Sequence, residues 1–302
     1  MPGILCLCTV ATLHAQHPAT PTDTQLDSTY IEAAESPPES PAKVLHAEPL
    51  YIDLIRDLGA RKGEQEWNFA LDVADNLLFD SYLGIIEYEW APVHRLGLEL
   101  ETQVLFFSPN RLDTETDTTE TPGSRIKSIK AAAQYTFCVA PRARFSAALG
   151  YLHEWELVEL RELTERPAVF GQILSPFLVV AKRWGSNWHS LVYTGPLWEH
   201  VLNGPQRGKT QLRYQFNPSV HYLITGTRNF VGLETNYLWE GRETSVVFRP
   251  QMRLAVADNL LIGISVGIPL NKTEQRLSSF ARLIWEPSHL NRLSHRADAH
   301  RR

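Results

Sequence analysis

Polar and apolar residues alternate along most of this chain, and the segment QLRYQFNPSVHYLI at 211–224 shows the pattern clearly. Its even positions, from Leu212 to Ile224, are apolar, aromatic or proline, whereas its odd positions are hydrophilic until Leu223. Successive side chains of a β-strand point to opposite faces, so the segment has one apolar face and one hydrophilic face. The same period recurs from Glu66 to Glu286 and predicts twelve strands.

The connections between these strands alternate between brief turns and mostly longer polar segments. APR and GSN are examples of the brief turns, and SPNRLDTETDTTETPGS and VLNGPQRGKT are examples of the longer segments. An even strand number with short turns on one side and long loops on the other is typical of bacterial outer-membrane barrels. The predicted fold is therefore all-β, a transmembrane antiparallel up-and-down β-barrel of about 12 strands with both termini in the periplasm. The apolar face would then contact lipid and the hydrophilic face would line a lumen.

A large soluble β-sandwich is the alternative fold, with its apolar faces packed against each other. Its outward faces would be expected to carry charges of both signs and many lysines, and few lysines occur on these strands. The barrel is therefore favoured.

Segments of different composition flank the predicted barrel, which covers residues 64–286. Residues 1–16 resemble a signal peptide, although no Lys or Arg precedes the apolar run. Residues 17–47 are rich in Pro, Ser, Thr and acidic residues and predict a disordered linker. A basic tail, 287–302, follows the last strand.

Residues 48–63 predict a short amphipathic helix between the linker and the barrel. Leu50, Leu54 and Leu58 repeat at helical spacing, and Gly59 is a natural stop. Such a short helix needs a surface on which to dock its apolar stripe. If the helix plugged the barrel, its apolar stripe would need an apolar patch in a lumen that the strands make polar. We therefore expect the helix to cap the periplasmic rim of the barrel.

The chain resembles the outer-membrane β-barrel proteins of Gram-negative bacteria over about 66–286. The block HAEPLYIDLIRDLGARKGEQEWN is similar to the N-terminal part of the proteins in one group of these barrels. This similarity implies no particular biochemical activity. The segment NPSVHYLITGTRNFVGLETNY is similar to MetA-type barrels linked by name to phenol-degradation pathways. The resemblance implies outer-membrane lipids, lipopolysaccharide and the barrel-assembly machinery as partners. Barrels of this class usually end on an aromatic residue, whereas here the last strand ends near Trp285 and the tail follows.

Charged residues at the inward positions form the candidate functional site. An acidic arc is predicted on the first three strands: Glu66, Asp72, Glu87, Glu89, Glu99 and Glu101. A basic arc is predicted on later strands: Lys130, Arg144, Arg213, Arg249, Arg253 and Arg282. Such charges can form ion-pair networks that fill the interior, or they can create a field across an aqueous pore. The sequence leaves both possibilities open.

Aromatic residues gather near the predicted strand ends, where they would form two interfacial girdles. These residues are Trp67, Tyr82, Trp90, Phe106, Tyr151, Tyr237, Trp239 and Trp285.

Composition and motifs argue against several other functions. The net charge of -5 argues against a nucleic-acid partner, and no apolar run of about 18 residues could form a membrane-spanning helix. No spacing indicates a metal ligand set or a cofactor, so we expect none. His189 and Ser190 are adjacent and should point to opposite faces, so they form no hydrolase dyad.

We therefore expect a channel for passive passage of small solutes and no enzyme. The alternatives are a structural or adhesive barrel with a filled lumen and, less favoured, a lipid hydrolase. The sequence leaves the solute and the oligomeric state open.

Overall fold

The computed structural model describes residues 22–35, 40–52, 54–76, 79–109, 123–159, 162, 167–272 and 275–287. Twelve strands and one α-helix occur in this part of the chain, apart from a short 3-10 turn at Pro141–Ala143. The helix, α1, is Asp23–Glu35. The strands are β1 Gln65–Asp75, β2 Phe79–Val93, β3 Leu96–Pro109, β4 Arg125–Ala140, β5 Phe145–Leu157, β6 Val169–Trp184, β7 Trp188–Val201, β8 Thr210–Leu223, β9 Phe230–Glu240, β10 Glu243–Ala257, β11 Leu260–Pro269 and β12 Leu277–Trp285.

The strands form a closed barrel in which each strand pairs with its sequence neighbours. All pairs are antiparallel, and β1 closes the barrel on β12 from the Trp67↔Trp285 pair to the Asp75↔Leu277 pair. Closure gives every strand two hydrogen-bonded partners, so no edge is left unpaired. The predicted twelve-stranded up-and-down barrel is confirmed.

The two ends of the barrel differ in the length of their connections. We call one the short-turn end, where the connections include 94–95, 185–187 and 258–259. At the other, the long-loop end, 110–124 and 158–168 connect strands. This is the asymmetry that the sequence predicts.

The outer face of the barrel is apolar between two aromatic bands. Its exposed side chains include Phe69, Leu71, Ile86, Leu100, Leu149, Val220, Val231, Leu233 and Ile264. Trp67 pairs with Trp285 near the short-turn end, and Tyr82 pairs with Phe106 near the long-loop end. No helix in the described ranges is long and apolar enough to cross a membrane.

The helix of the N-terminal region lies in residues that the sequence assigned to a disordered linker. Thr22 caps α1: its N–H donates to Gln25 Oε1 at 2.8 Å, and the Gln25 N–H donates to Thr22 Oγ1 at 3.4 Å. This reciprocal arrangement is a capping box, which stabilises the first turn. Asp27 accepts a hydrogen bond from the Gly226 N–H at 2.9 Å, so α1 docks at the short-turn end. The prediction of disorder throughout 17–47 is therefore wrong for α1.

The predicted helix at 48–63 is absent from the described residues of that range, which adopt bends and turns. Arg56 and Gly59 have positive φ angles of 67° and 86°, which a right-handed helix excludes. Side chains of the barrel wall bind the backbone N–H groups that a helix would use internally. The segment also lies inside the barrel instead of capping its rim, so that expectation is wrong as well. The predicted signal peptide and most of the basic tail lie outside the described residues.

Candidate functional site

Residues 44–64, which we call the inner segment, occupy the short-turn half of the barrel interior. On one side they are held by four backbone hydrogen bonds to wall side chains, of which the longest joins the Tyr51 N–H to Glu234 Oε2 at 3.4 Å. The Ala47 N–H donates to His189 Nδ1 at 3.0 Å, and the Leu50 N–H donates to Gln251 Oε1 at 2.7 Å. The Ile52 N–H donates to Glu234 Oε1 at 3.1 Å. The acceptors belong to β7, β10 and β9.

The opposite wall holds the later part of the inner segment. The Arg56 N–H donates to Glu89 Oε2 at 2.8 Å, and the Gly59 N–H donates to Thr136 Oγ1 at 3.0 Å. Gln134 Nε2 donates to the Arg56 carbonyl at 2.8 Å. These residues belong to β2 and β4, so the inner segment crosses the barrel from one wall to the other.

Apolar contacts accompany these hydrogen bonds. Leu54, Ile55 and Leu58 form a buried cluster with inward residues of β4 to β7: Ala132, Ala148, Phe177, Val179, Ala181, Leu191 and Tyr193. Ala47 and Leu50 form a second cluster with Ala70, Leu223, Phe230, Leu261, Phe280 and Ile284. Burying one leucine is worth about 1.5–3 kcal/mol, so the three leucines are a large part of the docking energy. The lumen therefore offers the apolar patches that the alternating pattern did not predict.

Two glycines of the wall make room for the inner segment. A Cβ atom on Gly97 would lie 2.1 Å from the Ile55 carbonyl oxygen, and one on Gly263 would lie 2.5 Å from a Leu50 methyl group. Both distances are far below van der Waals contact. The inner segment can approach the wall at these points only because the wall residue has no side chain.

The acidic arc points inward, as its positions predict, but its main cationic partner comes from the inner segment. Arg56 Nη1 lies 2.5 Å from Glu66 Oε2 and 3.5 Å from Glu89 Oε2, and Arg56 Nη2 lies 4.0 Å from Glu64. Burial by itself lowers the Arg56 pKa, but Glu66 and the other nearby carboxylates outweigh it and raise the pKa well above its usual value. Arg56 thus remains charged and compensates several carboxylates. The alternating pattern does not indicate Arg56, because this residue lies outside the strands.

The rest of the acidic arc has partners on the wall. Lys130 Nζ lies 2.9 Å from Glu101, and Arg282 Nη1 lies 3.8 Å from Glu87. Oxygens of Glu87, Glu99 and Glu101 all lie within 4.8 Å of one another, a set of donors that suits a hard cation. The lysine and arginine beside them already supply positive charge. Asp72 is also inward-facing but lies apart from this cluster, towards the long-loop end.

The basic arc is divided among separate local contacts. Arg213 pairs with Glu199 at 2.8 Å, and the Arg249 guanidinium lies 3.2 Å from the centre of the Tyr51 ring. Arg253 lies over the Phe230 ring at 4.7 Å. The basic side chains therefore have separate local partners, one carboxylate and two aromatic rings, and they do not form one continuous basic arc in the described short-turn half.

Arg144 does not line the lumen, contrary to the prediction. It is exposed in the turn before β5, with a φ angle of 51°, and its Nη1 donates to the Gly185 carbonyl at 3.1 Å. The prediction placed Arg144 on the strand, whereas the chain reverses at this residue.

A second, partly buried charge cluster lies where the inner segment begins. Lys43 forms a salt bridge with Asp57 and lies 3.6 Å from Glu64. Burial raises the Asp57 pKa, but Lys43 and Arg56 outweigh it and hold the pKa well below its usual value. Burial and the Asp57 charge raise the Glu48 pKa well above its usual value, so Glu48 keeps its proton and hydrogen-bonds to Asp57. The cluster joins the two ends of the inner segment.

The predicted girdle residues lie on the outer face, most of them in two groups. Trp67, Trp90 and Trp285 are near the short-turn end, and Trp67 packs on Tyr88 with 4.6 Å between ring centres. Tyr82, Phe106, Tyr237 and Trp239 are nearer the long-loop end, whereas Tyr151 lies at the middle of β5 and belongs to neither group. Trp184 and Trp188 also belong to the short-turn band and were not predicted.

His189 and Ser190 lie on opposite faces of β7. His189 is buried in the interior, whereas Ser190 Oγ accepts a hydrogen bond from Trp184 Nε1 on the outer face at 2.9 Å. The two side chains therefore form no nucleophile–base pair.

A closed antiparallel barrel with an apolar outer face between aromatic bands defines a transmembrane β-barrel. The chain belongs to the HAEPLYID-like family, whose model matches residues 42–286. The match includes the inner segment as well as all twelve strands. A search of curated proteins finds no match.

Several solved structures resemble this barrel. The COG4313 outer membrane channel from Pseudomonas putida F1 aligns with a TM-score of 0.58 and 11% identity, over 76% of this chain and 98% of that chain. The KdgM porin aligns with a TM-score of 0.48 and 11% identity over 73% and 98% of the two chains. The NanC porin aligns with a TM-score of 0.49 and 7% identity over 73% and 98%. At 11% identity, the similarity to the first of these supports the fold alone.

Proposed function

We propose that this chain is an outer-membrane channel for small solutes of a Gram-negative bacterium, closed at rest by its own inner segment. The observation that carries the proposal is that the twelve strands pair into a complete barrel without any contribution from the inner segment. The wall can therefore persist when the segment leaves. The similar barrel from Pseudomonas putida, which is named a channel, adds support.

The charged residues of the long-loop half would act as the filter of the open channel. Arg213, Glu199 and Lys130 line this half and are partly accessible to solvent. We further propose that both termini and the short-turn end face the periplasm. Lipopolysaccharide would then contact the outer face near the long loops, and the barrel-assembly machinery would insert the chain.

Gly97→Val tests whether the inner segment closes the channel. Any Cβ at this position collides with the Ile55 carbonyl, so we expect the valine to displace the inner segment and to raise the single-channel conductance in planar bilayers at least severalfold over the native chain. Gly84→Val is the matched control, because Gly84 lies on the outer face and a Cβ there would approach nothing closer than 3.8 Å. Heat-modifiable migration on gels verifies that each variant forms a barrel.

A structural or adhesive barrel with a filled lumen is the second candidate. The complete burial of the inward Asn68, Ser128 and Glu234 favours it. If the native chain and a folded Gly97→Val variant are equally silent in bilayers, the channel is wrong and the filled barrel remains.

A further inference from the structure

Two backbone bonds that hold the inner segment depend on the protonation of wall histidines. The Ala47 N–H donates to His189 Nδ1, and the Leu50 N–H donates to Gln251 Oε1. A backbone N–H can only donate, so His189 Nδ1 must be an unprotonated acceptor. For the same reason, the Gln251 amide must turn its oxygen towards Leu50.

Gln251 links the Leu50 bond to a second histidine. Its Nε2 lies 3.0 Å from His221 Nε2. Because the Gln251 oxygen is bound to Leu50, its NH₂ group must donate to His221 Nε2, which is therefore unprotonated. A proton on His221 Nε2 would face this NH₂ group. Turning the amide over would only move the conflict to the Leu50 N–H.

The histidines lie in surroundings that compensate an additional proton poorly. His189 and His221 are direct neighbours in the β7–β8 register, and both are 0% exposed. His46, which is 7% exposed, lies beside them with its Nε2 3.0 Å from Ser146 Oγ. Among the described residues, His46 Nδ1 and His221 Nδ1 have no hydrogen-bond partner, whereas His189 also interacts with the backbone of Ser186. A second proton on any of these rings would bury a charge with little compensation.

The charged groups around the histidines are mostly cationic or already paired. Arg183 on β6, Arg253 on β10 and Lys43, which directly precedes the inner segment, act on the rings. The nearby carboxylates each have another contact: Glu35 with Arg183 at 2.6 Å, Asp57 with Lys43, Glu48 with Asp57, and Glu234 with the Ile52 N–H. Burial, with the adjacent His189 and Arg183, lowers the pKa of His46 to about 3. The site thus disfavours protonated imidazole.

We propose that His189 and His221 form a proton-operated latch that holds the inner segment at neutral pH and releases it in acid. The latch deepens the proposed function and rests on it, because release matters for transport only if the barrel conducts. A proton on His189 Nδ1 breaks the Ala47 bond directly, because it converts the acceptor into a donor. A proton on His221 Nε2 opposes the Gln251 NH₂ group and so disturbs the Leu50 bond through the Gln251 amide.

The direction of the pH dependence follows from His46, which lies beside the latch. A released histidine titrates near 6.5, whereas docked His46 has a pKa of about 3. The docked state therefore has its full stability above pH 6.5 and loses stability as the pH falls towards 3. Within that window, one such histidine shifts the equilibrium towards release by about tenfold per pH unit, or roughly a hundredfold between pH 6.5 and 4.5.

The test replaces each latch histidine by an amide residue. Its side-chain oxygen accepts a hydrogen bond near the position of the histidine acceptor nitrogen and does not titrate. In His189→Asn the side-chain oxygen stands near the position of Nδ1, and in His221→Gln it stands near the position of Nε2. Spin labels at residues 42 and 142, both exposed near the short-turn end, report the position of the inner segment. The labels are introduced into a chain whose native cysteines are replaced by serine. The distance distribution is then measured by pulsed electron paramagnetic resonance at pH 7.5 and 4.5.

We expect the distribution of the labelled native sequence to broaden reversibly on acidification. The double variant should broaden distinctly less, because only His46 and the Arg56 ion pairs then respond to acid. His153→Asn is the matched control: this histidine lies on the outer face, bonded to Gln172, and its loss should leave the native response intact. Acid also weakens the Arg56 ion pairs, and only the comparison with the double variant isolates the histidines. If the double variant does not fold, His189→Asn alone should shift the transition to lower pH.

Two results would overturn the latch: an unchanged distribution in the native sequence between pH 7.5 and 4.5, or an equal response in a folded His189→Asn/His221→Gln variant. Conductance measured in parallel separates this inference from the channel itself. If the segment moves in acid but the bilayer stays silent, the latch holds and the channel function fails.

Discussion

At the scale of single residues, Arg56 has the greatest consequence for the interior. It comes from the inner segment, yet it is the cation that compensates Glu66 and Glu89 on two adjacent strands. Removing one member of a buried ion pair leaves uncompensated charge, which typically costs about 3–5 kcal/mol. The acidic arc is therefore a docking site for this arginine.

Arg56→Met should destabilise the docked inner segment by about 3–5 kcal/mol, because it leaves buried carboxylates without their cation. Amide hydrogen exchange of residues 44–64 would measure the loss. Arg142→Met, in an exposed turn, is the control. In a double-mutant cycle, Glu66→Gln should lower the stability of the docked inner segment less in the Arg56→Met background than in the native chain. Additive costs would contradict the pairing.

At the scale of elements, the same stretch of chain can serve two structures. Leu50, Leu54 and Leu58 have helical spacing, but in the barrel their backbone follows bends and their side chains enter two separate apolar clusters. Conversely, α1 forms in a segment of unpromising composition because Thr22 and Gln25 cap its first turn. The helical propensity of residues 48–63 is therefore outweighed by the wall side chains that accept hydrogen bonds from the backbone N–H groups of this range.

Thr22→Ala should destabilise α1 by about 0.5–2 kcal/mol, since it removes the N-cap hydroxyl. The expected result is faster amide exchange in residues 23–35. Thr24→Ala, at an exposed helical position, should leave exchange in α1 unchanged or slower, because alanine is the better helix former. Equal acceleration in the two variants would show that the capping box is unimportant.

At the scale of the whole molecule, the apolar outer face requires lipid or detergent. The barrel presents large apolar side chains all round its circumference, and Leu149 on β5 is 57% exposed. A charged side chain lowers the stability of the barrel when it faces lipid, whereas the same charge facing solvent has little effect.

Leu149→Arg should destabilise the barrel by about 2–4 kcal/mol if the residue lies near the middle of a bilayer. Urea titration in lipid vesicles, followed by heat-modifiable migration, measures this cost. Ala143→Arg, in the exposed turn at Pro141–Ala143, is the control and should cost little. A soluble, monodisperse native barrel without detergent would refute membrane insertion altogether.

The strand count, the closed antiparallel order and the division into lipid-facing and inward faces could be predicted from the sequence. Period-two alternation is a local property that each strand carries by itself, and it places residues such as Glu87 and Arg282 inward without knowledge of their partners. Arg144 was misplaced because the alternation does not show at which residue a turn ends.

Only the tertiary structure decided what fills the barrel. The route of the inner segment depends on Gly97 and Gly263, on apolar inward residues such as Leu191, and on His189 and Gln251, which come together only when distant strands close into a ring. The helical spacing of the leucines was real, but wall acceptors bind the N–H groups that a helix would have used. The sequence therefore determined the wall of the barrel. The closure of the barrel determined its contents, because the hydrogen bonds from the inner segment to His189, Glu234 and Gln251 join residues far apart in the chain.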